Sequence, residues 1–97
     1  MDTYATDELS RINYLEKMFI AAKEANAKVM LGKKNRKITR ALLVAEVANY
    51  DFGIGDPQEL FEALIMYTRV LSGYLDSVYN LNVAVAELEK ITDAIYK

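Results

Sequence analysis

The sequence predicts an all-α protein: a long C-terminal helix over about residues 57–96, packed against two shorter helices in a coiled-coil-like bundle. The chain has 97 residues, enough for one domain with one core. Its 53% hydrophobic and 27% charged residues are typical of a folded chain. Apolar residues also recur at steps of three and four, the spacing of a helix face. We therefore expect residues 1–97 to form a single helical domain.

The first helix is predicted to run from Asp7 to about Leu31. Thr6 can act as its N-cap, because a hydroxyl accepts hydrogen bonds from the free amides of the first turn. Gly32 is a common stop signal, since glycine adopts the left-handed conformation that ends many helices. Residues 32–37 are accordingly predicted to form a loop. The apolar face of this helix comprises Leu9, Ile12, Leu15, Phe19, Ala22, Ala25 and Val29.

A second, shorter helix is predicted from Thr39 to about Tyr50, with Thr39 as its N-cap. The β-branched residues in the segment 38–44 leave a strand as the alternative. Strict alternation is missing, however, and a lone strand would have no pairing partner. We favour the helix, followed by a second loop over residues 51–56.

The long helix has the clearest start signal in the chain. Asp56 can cap it, Pro57 suits the first helical position, and Glu59 completes a capping box. If the helix bends, we expect the bend near Gly73. Its predicted seam consists of Leu60, Leu64, Tyr67, Leu71, Tyr74, Val78, Leu81, Val85, Leu88 and Ile95.

Apolar residues outside this seam predict a homo-oligomer, because so small a domain cannot bury them all. Tyrosines in a seam suit a boundary between subunits, although they could equally lie at the rim of a monomer core. The residues predicted to mediate self-association are Ile65, Met66, Tyr67, Tyr74, Tyr79 and Val83.

Charge is distributed unevenly along the chain. Residues 1–40 carry nine basic and five acidic side chains, whereas residues 41–97 carry three and nine. The basic cluster predicts binding to a protein partner with an acidic surface. Nucleic acid is the alternative partner, but the net charge is −2 and no aromatic residue is interleaved with the cluster. The predicted partner-binding residues are Lys33, Lys34, Arg36, Lys37 and Arg40.

Composition argues against an enzyme. Cysteine and histidine are absent, which removes disulfides, thiol nucleophiles, zinc sites of the usual kind and imidazole acid–base chemistry. Glu59 and Glu62 share a helix face but lack a third ligand. We expect no catalytic residue, cofactor or metal, and the lack of a bilayer-spanning or signal-like segment favours a cytoplasmic location.

The predicted function is a non-enzymatic interaction module: an assembly component, adaptor or inhibitor of a larger machine, of the kind that phages and bacteria encode in small genes. The alternative is a small DNA- or RNA-binding regulator that acts through the basic loop at residues 33–40.

Overall fold

In the computed structural model, the chain forms a hairpin of two long helices. Helix α1 spans Asp2–Asp51 and helix α2 spans Pro57–Tyr96. The structure describes the backbone of residues 2–96 and the side chains of residues 7–94. The hairpin measures 78 × 21 × 14 Å, and its radius of gyration is 21.7 Å, against about 12.5 Å for a compact chain of this length. The all-helical prediction is confirmed, and α2 has the predicted bounds and runs unbroken through Gly73.

The predicted division of the N-terminal half into two shorter helices is wrong, because α1 is continuous through residues 32–37. Gly32 faces α2 instead of ending a helix: a Cβ atom placed there would lie 3.2 Å from Cδ2 of Tyr74. The missing side chain lets the two helices approach closely. Lysine and arginine are good helix formers, so the rest of the basic segment continues the helix. Helix α1 begins at Asp2, which makes Thr6 an interior position and not the cap.

Thr39 is likewise in the middle of α1 and does not cap a second helix. Its hydroxyl donates to the carbonyl oxygens of Asn35 and Arg36, at 2.9 and 3.2 Å. With 7% of its surface exposed, Thr39 is the single buried residue among the side chains of residues 7–94. No strand occurs between residues 2 and 96, so the strand alternative for residues 38–44 is wrong.

The loop between the helices depends on two glycines. Gly53 has a φ of +75°, and its N–H donates to the Tyr50 carbonyl, while that of Ile54 donates to the Asn49 carbonyl, both at 3.0 Å. These paired bonds are the Schellman motif that closes a helix C-terminus. A Cβ on Gly55 would lie 2.8 Å from the backbone nitrogen of Tyr50, so the returning chain passes too close for any side chain there.

The predicted start of α2 at Pro57 and its cap, Asp56, are confirmed, but the hydrogen bonds of the described residues include none from the Asp56 N–H to Glu59, so the predicted capping box does not form. Oδ1 of Asp56 accepts a hydrogen bond of 3.0 Å from the N–H of Gln58, which is the N-cap interaction. Pro57 occupies the first helical position, where its missing N–H leaves no hydrogen bond unmade. The N–H of Leu60 then donates to the Asp56 carbonyl at 3.1 Å.

The two helices meet along one line of shielded side chains on each, which we call the inner seam. In α1 it comprises Leu15, Met18, Ala22, Ala25, Val29, Gly32, Arg36, Thr39, Leu43 and Glu46. In α2 it comprises Leu60, Ala63, Tyr67, Val70, Tyr74, Ser77, Leu81, Ala84, Leu88 and Ile91. Both lines advance by alternating steps of three and four residues, the pattern of a coiled-coil seam.

The centre line of the contact differs in part from the predicted seam of α2: Leu64 and Val85 are exposed, whereas Leu71 and Val78 are half-buried beside the inner seam. The inner seam instead contains Ala63, Val70, Ser77 and Ala84. These residues occupy the positions in the contact that were predicted for Leu64, Leu71, Val78 and Val85. At Gly32 the helices come so close that a Cβ atom would lie 3.5 Å from Cα of Tyr74, so the missing side chain on α1 accommodates a large one on α2. The remaining predicted seam residue, Ile95, lies outside the described side chains.

Candidate interaction surface

A second line of apolar residues runs along α2 beside the inner seam, and we call it the outer stripe. Each of its positions follows an inner-seam position by one residue, which rotates it by about 100° around the helix. The outer stripe comprises Phe61, Leu64, Thr68, Leu71, Leu75, Val78, Asn82, Val85, Glu89 and Thr92. Its length from Phe61 to Thr92 is about 46 Å at 1.5 Å per residue.

Much of the outer stripe is open to solvent. Phe61 is 63% exposed and Leu75 57% exposed, and Leu64 and Val85 are exposed as well. The hydroxyl of Thr68 donates to the Leu64 carbonyl at 2.8 Å, so this polar group is already satisfied within the helix. Leu71 and Val78 between them are half-buried. Large apolar residues exposed in a line along a helix are typical of a protein-binding face.

The clefts of the hairpin show which side of the molecule carries the outer stripe. One cleft is lined by Ala21, Lys28 and Asn80, and another by Leu42 and Met66. All five positions immediately precede an inner-seam residue. The positions that follow the seam therefore lie together on the other side, in both helices.

We call this other side the apolar face. It consists of the outer stripe together with the α1 residues one position after the inner seam. These are Glu16, Phe19, Lys23, Asn26, Met30, Lys33, Lys37, Arg40, Val44 and Val47.

The opposite side of α2 is mostly polar. The positions that precede its inner seam are Glu59, Glu62, Met66, Arg69, Gly73, Asp76, Asn80, Val83, Glu87 and Lys90. Two of these ten are large apolar residues, whereas the outer stripe has six. The apolar surface of α2 is thus concentrated on one side of the hairpin.

The residues predicted to mediate self-association are dispersed. Tyr67 and Tyr74 are half-buried in the inner seam against α1. Met66 and Val83 are exposed on the polar side, and Ile65 points away from both. Their role in self-association stays a prediction.

Tyr79, the sixth residue of that set, is 69% exposed and lies two positions after an inner-seam residue. Tyr79 and Ile65 therefore provide apolar control positions that are exposed but lie off the outer stripe.

The predicted basic loop is instead a helical segment, which separates its five cations. Arg36 lies in the inner seam, where its guanidinium carbon is 5.6 Å from the centroid of the Tyr74 ring. Lys33, Lys37 and Arg40 lie on the apolar face, beside the outer stripe.

Lys34, the fifth predicted partner-binding residue, is exposed and lies two positions after Gly32 of the inner seam, away from α2. The structure therefore brings three of the five predicted cations onto one face.

The loop tip is a second exposed apolar feature. Phe52 is 80% exposed and Ile54 78% exposed, the highest values among the large hydrophobic residues of the described chain. Among residues 7–94, no group of acidic side chains is arranged to hold a metal ion. Neither helix contains, within its described residues, a segment long and apolar enough to cross a bilayer.

Comparisons of this chain with models of protein families, with curated proteins and with solved structures returned no match. The argument for function therefore depends on the geometry of the apolar face.

Proposed function

We propose that this protein is a non-enzymatic protein–protein interaction module, an assembly component, adaptor or inhibitor, whose apolar face is covered by protein. The supporting observation is the solvent-accessible surface of the whole chain, which is 7966 Å². A compact monomer of 11.0 kDa is expected to expose about 5,600 Å². No hydrophobic side chain among residues 7–94 is buried. A hairpin with so little core gains stability from a partner that covers it.

The cations on the apolar face favour an acidic partner surface. Lys33, Lys37 and Arg40 lie along one side of the outer stripe and can steer an oppositely charged protein into contact. Nucleic acid is a poorer fit, because phosphates that engaged these cations would leave Leu64 and Leu71 next to a highly charged backbone.

A photo-crosslinking amino acid at Phe61 tests the proposal in the cells that make the protein. Tyr79 is the matched control position, since it is also an exposed aromatic residue on α2 but lies off the outer stripe. We expect protein crosslinks from Phe61 and few from Tyr79. Equal yields at both positions, or crosslinks to nucleic acid alone, would contradict the proposal.

A further inference from the structure

We propose that a groove on the side of the hairpin opposite the apolar face binds a basic amphipathic helix of a partner protein. This inference goes beyond the proposed function, because it does not require the apolar face to bind anything. We call this surface the loop-side groove. It is lined by Leu31, Ile38 and Leu42 of α1 and by Glu62, Met66 and Gly73 of α2, each of which immediately precedes an inner-seam residue.

Four large apolar side chains are exposed in the loop-side groove, and three of them come from α1. Leu42 and Met66 line the same cleft between the helices, and they are 52% and 51% exposed. Because Gly32 lies beside Tyr74 and the helices are antiparallel, Ile38 is level with about residue 68 and Leu31 with about residue 75. The four side chains therefore follow one another along the groove and offer apolar surface that a partner can bury.

Carboxylates lie at the end of the groove that is nearest the interhelical loop. The acidic residues that line the cleft there are Glu46, Glu59 and Glu62. Nε2 of Gln58 lies 3.5 Å from Oε1 of Glu62, but this amide is neutral and leaves the negative charge uncompensated. Arg69, the cation on this part of the groove, is about 10 Å farther along α2 than Glu62. A lysine or arginine of a partner can lay its aliphatic stem on Leu42 and bring its charge to these carboxylates.

The two sides of the hairpin carry opposite charges beside the loop. On the apolar face, Lys33, Lys37 and Arg40 occupy this stretch of α1, and the outer stripe from Phe61 to Leu75 contains no acidic residue. An acidic partner is therefore attracted to the apolar face, whereas the loop-side groove attracts a basic one. The two sides select different ligands.

Gly73 provides a place where a partner can approach the backbone of α2 closely. Glycine is a poor helix former, and the described part of the chain does not fill the space that its missing side chain leaves, since a Cβ atom there would meet nothing within 4 Å. Gly32 differs, because the Tyr74 ring occupies the corresponding space. Gly73 precedes Tyr74 of the inner seam, so the open space lies on the side of the groove. A side chain is missing where a partner helix can lie.

The walls of the groove determine the form of the partner. Both walls are helices, whose backbone N–H and C=O groups are already paired, so an extended peptide cannot add to them as a strand. From Glu59 to Gly73 the groove is about 21 Å long, which corresponds to about four helical turns. A helix with apolar residues on one face and lysine or arginine beside them matches both the shape and the charge.

Binding of synthetic peptides to the full-length protein tests this inference. The probe is a helical peptide of about 18 residues with leucines on one face and lysines beside them, and its matched control has glutamine in place of each lysine. We expect the lysine peptide to bind more weakly as salt increases, and the glutamine peptide to bind about tenfold more weakly at low salt. Equal binding of the two peptides, or no binding of the lysine peptide, would overturn the inference.

Gly73→Leu separates binding from folding. The leucine fills the open space in the groove, so the affinity for the lysine peptide should fall about tenfold or more, whereas the melting temperature should not fall, because leucine is the better helix former. Asn82→Leu is the matched control, since it adds the same side chain at an exposed position on the apolar face. It should keep the wild-type affinity. Full binding by Gly73→Leu, or equal losses in the two variants, would contradict the proposed site.

A charge variant tests the acidic end of the groove. Glu59→Gln with Glu62→Gln should weaken binding of the lysine peptide and reduce its salt dependence, because two of the three carboxylates lose their charge. Glu87→Gln with Glu89→Gln removes the same charge on the order of 40 Å away along α2 and should have little effect. Equal effects of the two double variants would show that the peptide responds to the overall charge and would reject the groove.

Crosslinking distinguishes this inference from the proposed function. A photo-crosslinking amino acid at Leu42 reports on the loop-side groove, whereas one at Phe61 reports on the apolar face. Crosslinks from Phe61, with none from Leu42 to a lysine- or arginine-rich segment, would leave the interaction module standing and reject the groove. Groove binding of the lysine peptide, with no protein crosslinks from Phe61, would do the reverse.

Discussion

The inner seam and the outer stripe of α2 have the same spacing but different surroundings. Both advance by steps of three and four, and both contain leucine and valine. The inner seam alternates these with Ala63, Ser77 and Ala84, whereas the outer stripe presents bulky residues such as Phe61 and Leu75. The spacing of apolar residues along a helix shows how many apolar faces the helix has. The fit between large and small side chains also matters, because the missing side chain of Gly32 makes room for the Tyr74 ring of the inner seam.

The largest expected difference between the two lines comes from introducing a carboxylate. Leu81→Asp places a charge in the half-buried inner seam, where a carboxylate without a partner is costly, and we expect the hairpin to lose its helical signal at lower urea concentration or to unfold. Leu75→Asp, on the outer stripe, should keep the helical signal. Circular dichroism with urea titration measures both variants. Equal destabilisation by the two would mean that the lines are not distinct.

Glycine substitutions test the close contact at the inner seam. Gly32→Leu should lower the free energy of unfolding by about 1–3 kcal/mol, because the new side chain must enter the space held by Tyr74. Gly73→Ala is the control, since a Cβ there meets nothing within 4 Å. Alanine is the better helix former, so this variant should gain up to about 1 kcal/mol. A thermal melt that ranked the two in the opposite order would contradict the seam.

The chain contains one cation–π pair in the inner seam and one on the apolar face, so the strength of the same interaction can be compared at the two places. Arg36→Gln removes the charge over Tyr74 in the half-buried seam and should cost about 1 kcal/mol. Lys23→Gln removes the charge 5.5 Å from the Phe19 ring on the exposed surface and should cost less. Urea denaturation of both variants measures the difference, and a larger loss for Lys23→Gln would count against the assigned burial.

The smallest effect on stability is expected from the exposed cations. Replacing Lys33, Lys37 and Arg40 by serine should change the free energy of unfolding by no more than about 0.5 kcal/mol, since surface substitutions seldom do more. The salt dependence of binding to the acidic partner should nevertheless fall, because these charges face that partner. Co-purification of the protein that crosslinks from Phe61, at low and high salt, measures it. An unaltered salt dependence would show that the three cations lie outside the interface.

Local signals made the second half of the fold predictable from sequence. Asp56 and Pro57 mark the start of α2 through contacts within one turn, and no later proline interrupts it. The continuity of α1 could not be predicted in this way. In its local sequence, Gly32 resembles the glycine that ends a helix. Its role in the packing of α1 on α2 becomes visible only in the contact with Tyr74, which is distant in sequence.

The candidate surface was predictable in part. Leu64 and Leu71 were recognised as apolar at helical spacing but were assigned to the seam, because spacing alone does not reveal the size of the opposing residues. The basic cluster was recognised from composition. Its division between the inner seam, at Arg36, and the apolar face, at Lys37 and Arg40, required the helix to be continuous.

The glycine-shaped loop at residues 52–56 also determines the order in which the hairpin can form. A contact between Leu43 and the start of α2 encloses a short stretch of chain. A contact between Leu15 and Ile91, which line one cleft at the open end, encloses most of the chain. Because the entropy cost of closing a chain grows with the length enclosed, we expect the helices to pair first beside the loop and then progressively toward the termini. A substitution that strains the backbone at Gly53 should therefore slow folding, whereas one that weakens the packing at Ile91 should accelerate unfolding.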